Sequence, residues 1–258
     1  MSVSFRKNRL QVLDIWVDPL TRREAIRRVR SFLEQGTRPH AVFASNPEKN
    51  FSVTKDPELH RIFSEADLLL PDGIGMVLAA KLLYNANIER VPGAEFIYDI
   101  CCLAENEGYR VFLYGASEEV NRKSAEVLAK RYPRLLIAGR ANGYVSEAEM
   151  PRLIERINES RADILFVALG SPKQEKWFVE HKDALEHVRV VQGIGGTLDT
   201  IGGTVKRAPE IWRKFWAEWL YRLLSEPKRI KRQRILPIFA FMVFQAKAGN
   251  MIGLGRQN

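Results

Sequence analysis

Six short stretches of this chain set small residues beside Asn, Asp, Gln or Tyr. They are Ser45-Asn46-Pro47-Glu48, Asp72-Gly73-Ile74-Gly75, Gly115-Ala116-Ser117, Gly143-Tyr144, Gly170-Ser171-Pro172-Lys173-Gln174-Glu175 and Gly193-Ile194-Gly195-Gly196-Thr197-Leu198-Asp199. Small residues let a ligand approach the backbone, and amide, carboxylate and phenol groups supply directional hydrogen bonds. Together the six describe a nucleotide-sized cleft. Asp72 is the candidate general base at its rim. The plainer reading of Asp72 is a turn or N-cap residue ahead of a helix over residues 74–84, and spacing alone favours it. Gln174 and Asp199, taken singly, also read as helix caps.

Other chemistries fit these residues less well. Neither Asp72-Gly73-Ile74-Gly75 nor Gly193-Ile194-Gly195-Gly196 completes a dinucleotide fingerprint, and no Gly-Lys-Ser/Thr follows a strand, so a redox or phosphate-loop enzyme has weak support. The four histidines, His40, His60, His181 and His187, show no ligand spacing, and there is no Asp-x-Asp pair. No metal and no other cofactor is therefore expected. If the reaction expels a nucleoside diphosphate, its developing charge must be met by arginines, lysines or backbone N–H groups.

The elements that must position these residues are legible as an alternation. Apolar runs at residues 10–17, 41–44, 67–70, 110–114, 135–138, 164–169 and 188–191 are separated by helical patterns. Several runs are apolar at consecutive positions, as strands covered on both faces of a parallel sheet are. Thr21 with Glu24 and Ser146 with Glu149 have capping-box spacing, and Gly36 and Gly108 stand where helices should end. The expected fold is α/β, a Rossmann-like, mostly parallel sheet with helices on both faces. In such sheets ligands bind at the carboxyl ends of the strands, where the six polar stretches fall.

The catalytic domain is expected over residues 1–203 and a helical, basic and aromatic appendage over 204–258. The 258 residues carry a net charge of +9, and the segment 206–234, with ten basic and three acidic residues, holds +7 of it. A partner is thus expected to be acidic: a nucleotide, a diphosphate or a lipid headgroup. Ile211, Trp212, Phe215, Trp216, Trp219, Leu220, Leu223 and Leu224 form one apolar helical stripe, which suits either packing on the main domain or an interfacial helix at an anionic bilayer. Nucleic acid is not expected, because no RNA- or DNA-binding signature accompanies the charge. The apolar run Ile235 to Phe244 has ten residues, against roughly 20 for a spanning helix. No secretory leader is evident at the N-terminus, and Cys101 and Cys102, adjacent in a helical pattern, read as core-filling thiols of a reducing compartment.

In order along the chain, Asn46-Pro47-Glu48, Leu70-Pro71-Asp72-Gly73-Ile74-Gly75, Glu89-Arg90-Val91-Pro92-Gly93, Gly170-Ser171-Pro172-Lys173-Gln174-Glu175, Gly193 to Asp199, Lys206-Arg207-Ala208-Pro209 and Glu218 to Leu223 are similar to the motifs of one family. Over roughly residues 10–235 the chain resembles the WecG/TagA/CpsF glycosyltransferases, the N-acetylmannosaminyltransferases of wall teichoic acid and enterobacterial common antigen synthesis and their polysaccharide relatives. The resemblance implies inverting, metal-independent transfer of a sugar from a UDP-sugar to a polyprenyl-diphosphate-linked saccharide, by a protein attached peripherally to the cytoplasmic face of the bacterial membrane. It assigns the base to Asp72 and sets Asn46, Arg90 and Gln174 around the reacting sugar. Tyr144 and Asp199 match positions near the uracil. Gly115, Gly170, Gly193 and Gly195 line the donor side, and Arg222, Arg229 and Arg232 are the cleft-closing arginines of the appendage. The chain departs from the family at Ala44, where Thr is frequent, and at Pro92 and Glu95, where Thr and Asp are frequent, so the identity of the sugar is the property these changes touch. A homo-oligomer is compatible with the sequence. Two rival readings are a nicotinamide-dependent oxidoreductase and a non-enzymatic basic module for nucleic acid or anionic lipid.

Overall fold

The computed structural model describes residues 8–204 and 234–254. The apolar runs become strands β1 (Leu10–Val12), β2 (Ile15–Val17), β3 (His40–Ser45), β4 (Leu68–Pro71), β5 (Arg110–Gly115), β6 (Leu136–Ala141), β7 (Ile164–Ala168) and β8 (Val190–Gly193). The helices are α1 (Arg22–Gln35), α2 (Pro47–Val53), α3 (Pro57–Glu65), α4 (Ile74–Tyr84), α5 (Gly93–Glu107), α6 (Glu118–Arg131), α7 (Met150–Glu159), α8 (Lys173–His181), α9 (Thr197–Ile201) and α10 (Ile235–Leu254). Strands β3 to β8 form one six-stranded sheet in the order β4-β3-β8-β7-β5-β6, and every pairing in it is parallel.

Alternate residues of each central strand enter two separate cores. Phe43, Leu69, Phe112, Leu165 and Val191 face the layer of α2, α3, α7 and α8. Val42, Leu68, Val111, Phe166 and Val190 face α1, α5 and α6. This is why these strands read as continuous apolar runs. Edge strand β6 is only half-buried and runs three residues beyond the end expected for it. The register between β5 and β6 shifts by one residue at Val111/Phe112.

One expected strand is two. The run over residues 10–17 folds into a two-stranded antiparallel sheet of its own, β1 with β2. Leu13 at its turn has a φ of 57°, and the Asp14 N–H donates to Asn50 Oδ1 at 2.9 Å. A polar turn residue anchored to α2 breaks a pattern that hydrophobicity alone reads as unbroken. The Thr21–Glu24 and Ser146–Glu149 capping boxes are both present. Cys101 is buried, as expected, but Cys102 is exposed. Neighbours on a helix diverge by about 100°, so a helix packed on one face cannot bury both.

Helix α10 lies against α4 and α2 and buries Phe239 and Val243, one turn apart. Burial of each contributes about 1.5–3 kcal/mol. Its opposite side leaves Ile238, Phe241 and Phe244 exposed, and Leu78 of α4 is exposed as well. Among the described residues no helix is long and apolar enough to cross a membrane.

Candidate active site

Parallel register brings the strand ends into line. Ser45 pairs with Pro71, Val167 with Gly193, Gly115 with Ala168 and Tyr114 with Ala141. All six polar stretches consequently leave the sheet along one edge.

At the β4–β3 end of that edge stand Asp72, Asn46 and Arg90. The Asp72 N–H donates to Ser45 O at 2.9 Å, extending the β3–β4 ladder one residue past the strands. Asp72 is half-buried. It is not the N-cap of α4: Gly73 takes that position with a φ of 87° and no side-chain cap bond. The helix-cap reading of Asp72 is thereby corrected. A Cβ on Gly75 would stand 2.8 Å from Pro47 Cγ, so this glycine serves the close approach of the two motif stretches rather than of a ligand. Asn46 is the N-cap of α2, its Oδ1 accepting the Lys49 N–H at 3.0 Å. With the oxygen so engaged, the Asn46 amide NH₂ is the group left for a ligand.

Arg90 is placed by its neighbours. Glu89 Oε2 accepts the Arg22 N–H at the start of α1 at 2.8 Å, and the Val91 N–H donates to Pro71 O at 2.8 Å. Between these clamps Arg90 is half-buried and has no carboxylate partner among the described residues. The Gln192 amide, buried in β8, donates to Gly93 O at 3.0 Å, and a Cβ on Gly93 would lie 3.1 Å from the Ala44 methyl. Glu95 faces the Arg22 guanidinium at 3.7 Å. Ala44 is thus packed against Gly93, and Glu95 faces the same Arg22 whose N–H holds Glu89.

At the centre of the edge, Gln174 is buried and spends its oxygen on the Gly195 N–H, 2.8 Å away. Its amide fills the space a Cβ on Gly193 would need, 2.6 Å from Nε2. The expectation that Gln174 itself caps α8 is corrected, since Pro172 is the N-cap. Likewise Gly196, not Asp199, is the N-cap of α9. Asp199 is half-buried in the first turn of α9, and its carbonyl accepts the Thr204 N–H and Oγ1. The Gln174 N–H donates to Gly170 O at 2.9 Å, closing the turn after β7.

At the β5–β6 end, one buried amide ties two strands. Asn121 Nδ2 donates to Gly115 O at 2.8 Å and to Ala141 O at 2.9 Å. The Gly143 N–H donates to Ala116 O at 2.8 Å, and the adjoining Tyr144 side chain is 81% exposed. Beside it Glu118, Arg140, Ala141, Asn142, Val145 and Arg156 line a cavity of about 360 Å³. The Arg140 guanidinium, hydrogen-bonded to Glu118, holds that carboxyl below its ordinary range. The structure thus gathers Asp72, Asn46 and Arg90 at one end, Gln174, Gly170, Gly193, Gly195 and Asp199 in the middle, and Gly115 and Tyr144 at the other. Arg222, Arg229 and Arg232 lie outside the described residues. Among the described residues no group of three or more His, Cys, Asp and Glu side chains could hold a metal ion.

Sequence reasoning passed over Lys49, Asn121 and Gln192, and carried Glu175 only as part of the Gly170–Glu175 stretch. Lys49 and Glu175 form a buried ion pair at 2.8 Å, with the Lys49 N–H bonded to Asn46 Oδ1 and the Gln174 amide bonded to Glu175 Oε1. Nothing in the local sequence pairs two charges 126 residues apart.

The fold is a parallel α/β sheet with a carboxylate, an amide and an arginine at one end of its glycine-rich carboxyl edge, the edge at which enzymes of this class bind their ligands. A model of the Glycosyl transferase WecG/TagA/CpsF family matches residues 10–252, and the chain belongs to this family of glycosyltransferases. Two Staphylococcus aureus proteins from different strains, each named N-acetylglucosaminyldiphosphoundecaprenol N-acetyl-beta-D-mannosaminyltransferase, are each 34% identical to it over 251 residues, covering 96% of this chain and 97% of theirs.

Proposed function

We propose that the protein transfers a hexose, N-acetylmannosamine or a related sugar, from a UDP-sugar to a polyprenyl-diphosphate-linked saccharide, with inversion and without a metal. The observation that carries the reading is the convergence of Asp72, Asn46 and Arg90 at the ends of β3 and β4, each fixed by backbone hydrogen bonds of its own or of its neighbours. The names of the relatives specify a lipid-linked diphosphate acceptor and a mannosaminyl donor group, which favours the same substrates here.

In this reading Asp72, as the carboxylate, removes the proton of the acceptor hydroxyl while its oxygen attacks the anomeric carbon, and the bond to the UDP oxygen breaks on the opposite face. A positioned base typically contributes about 10²–10⁴-fold. The donor lies along the edge from β3 to β6, four strand steps of about 4.8 Å, with uracil toward Tyr144 and Asp199. Arg90, the exposed backbone of the glycine turns and Arg222, Arg229 and Arg232 of the appendage offset the charge of departing UDP. The basic segment and the exposed face of α10 hold the protein to the cytoplasmic face of the membrane that carries the acceptor.

A panel of UDP-sugars assayed for UDP release, with and without a short-chain lipid-diphosphate saccharide, tests this directly. Release that depends on both substrates and survives EDTA is expected. Binding of a nicotinamide dinucleotide without UDP release would replace the reading with an oxidoreductase.

A further inference from the structure

Lys49 Nζ donates to Glu175 Oε1 at 2.8 Å, with the two residues 9% and 1% exposed. Desolvating both charges offsets most of their attraction, and an apolar pair of similar volume is often as stable or more so. Stability is thus a poor account of the pair, and its surroundings offer a better one. Glu175 Oε1 also accepts Gln174 Nε2 at 3.3 Å, while Gln174 Oε1 accepts the Gly195 N–H at 2.8 Å. A primary amide can present either end. Here the carboxylate selects one, because a flipped Gln174 would set oxygen against carboxylate and NH₂ against N–H. On the other side the Lys49 N–H donates to Asn46 Oδ1 at 3.0 Å.

We propose that the Lys49–Glu175 pair is a positioning element for the transfer. It fixes the hand of the Gln174 amide, through it the Gly193–Gly196 turn that receives the donor diphosphate, and it joins that turn to Asn46 at the acceptor end. The inference rests on the transfer reading above, but its own geometry can be read without turnover. Lys49 and Glu175 touch no reacting atom; they act through Gln174 and Asn46.

The test replaces the pair with apolar residues of similar volume, Lys49→Met with Glu175→Leu. The double variant should melt near the parent, yet its donor KM should rise about tenfold with a smaller change in kcat, and the Gly195 amide should exchange with solvent about tenfold faster. A folded double variant with unchanged donor KM and unchanged Gly195 exchange overturns the proposal. Should that variant not fold, Glu175→Gln keeps the shape of the side chain and is judged by the same two readouts. Lys49→Arg, which retains a cation, should keep both readouts near the parent values, and changes as large as those of the double variant count against the proposal. If the parent releases UDP from none of the UDP-sugars offered, the transfer reading fails, while Gly195 exchange still decides the positioning role.

Discussion

The Asp72 N–H and the Ser45 carbonyl, 2.9 Å apart, carry the β3–β4 ladder one residue beyond the sheet, so the carboxylate of Asp72 is mounted on a backbone that cannot drift. Asp72→Asn preserves this bond and the size of the side chain. Its kcat should fall by about 10²-fold or more with melting and UDP affinity unchanged. Turnover near the parent rate would remove Asp72 from the role of base.

Gly193 has no room for a side chain. A Cβ would lie 2.6 Å from Gln174 Nε2 and 3.0 Å from Phe43 Cδ1. Gly193→Ala should therefore cost about 1–3 kcal/mol and displace the amide that holds the Gly195 N–H. A lower melting temperature together with a donor KM raised about tenfold is expected; an unchanged KM would separate this turn from donor binding.

Helix α10 offers a way to test membrane contact without disturbing the fold, since Phe241 and Phe244 are 62% and 64% exposed while Phe239 and Val243 hold the helix to α4 and α2. Phe241→Ser with Phe244→Ser should leave melting unchanged and reduce pelleting with phosphatidylglycerol-containing vesicles about tenfold or more. Equal pelleting of parent and variant would exclude this face from the bilayer contact.

His40 sets a pH dependence. Burial is the main cause that pushes its imidazole down to about 4; the Asp67 carboxylate opposes this, and Arg38 and Arg189 add to it. Unfolded histidine titrates near 6.5, so between about pH 6.5 and 4 the unfolded chain binds the extra proton, and stability falls as pH falls. The stability lost in this way is nil above pH 6.5 and reaches about 3 kcal/mol by pH 4. Urea midpoints measured at pH 7, 6 and 5 should decline more steeply for the parent than for His40→Leu. Parallel declines would show that His40 is not the titrating group.

The two cysteines should differ sharply toward a thiol reagent at pH 8. Burial pushes the Cys101 thiol up to about 12, whereas Cys102 is exposed. One thiol should react in the folded protein, and Cys102→Ser should be inert until denatured. Rapid modification of that variant would contradict the burial of Cys101.

The strand-and-helix alternation, the parallel sheet and the polar stretches at the strand ends were legible in the sequence, because each rests on local pattern: apolar runs, capping spacing, glycines and prolines next to polar residues. The sequence could not fix which strands become neighbours, since the order β4-β3-β8-β7-β5-β6 depends on long crossovers whose ends carry no mutual label. The split of residues 10–17 into β1 and β2 was hidden for a similar reason, as the partner of the Asp14 N–H is Asn50, far along the chain. For Asp72, spacing favoured a cap, and only the folded backbone gave that position to Gly73 and joined Asp72 to Ser45. The Lys49–Glu175 pair belongs wholly to the tertiary structure: two charges on different helices become partners only when packing excludes the water that would otherwise solvate each alone.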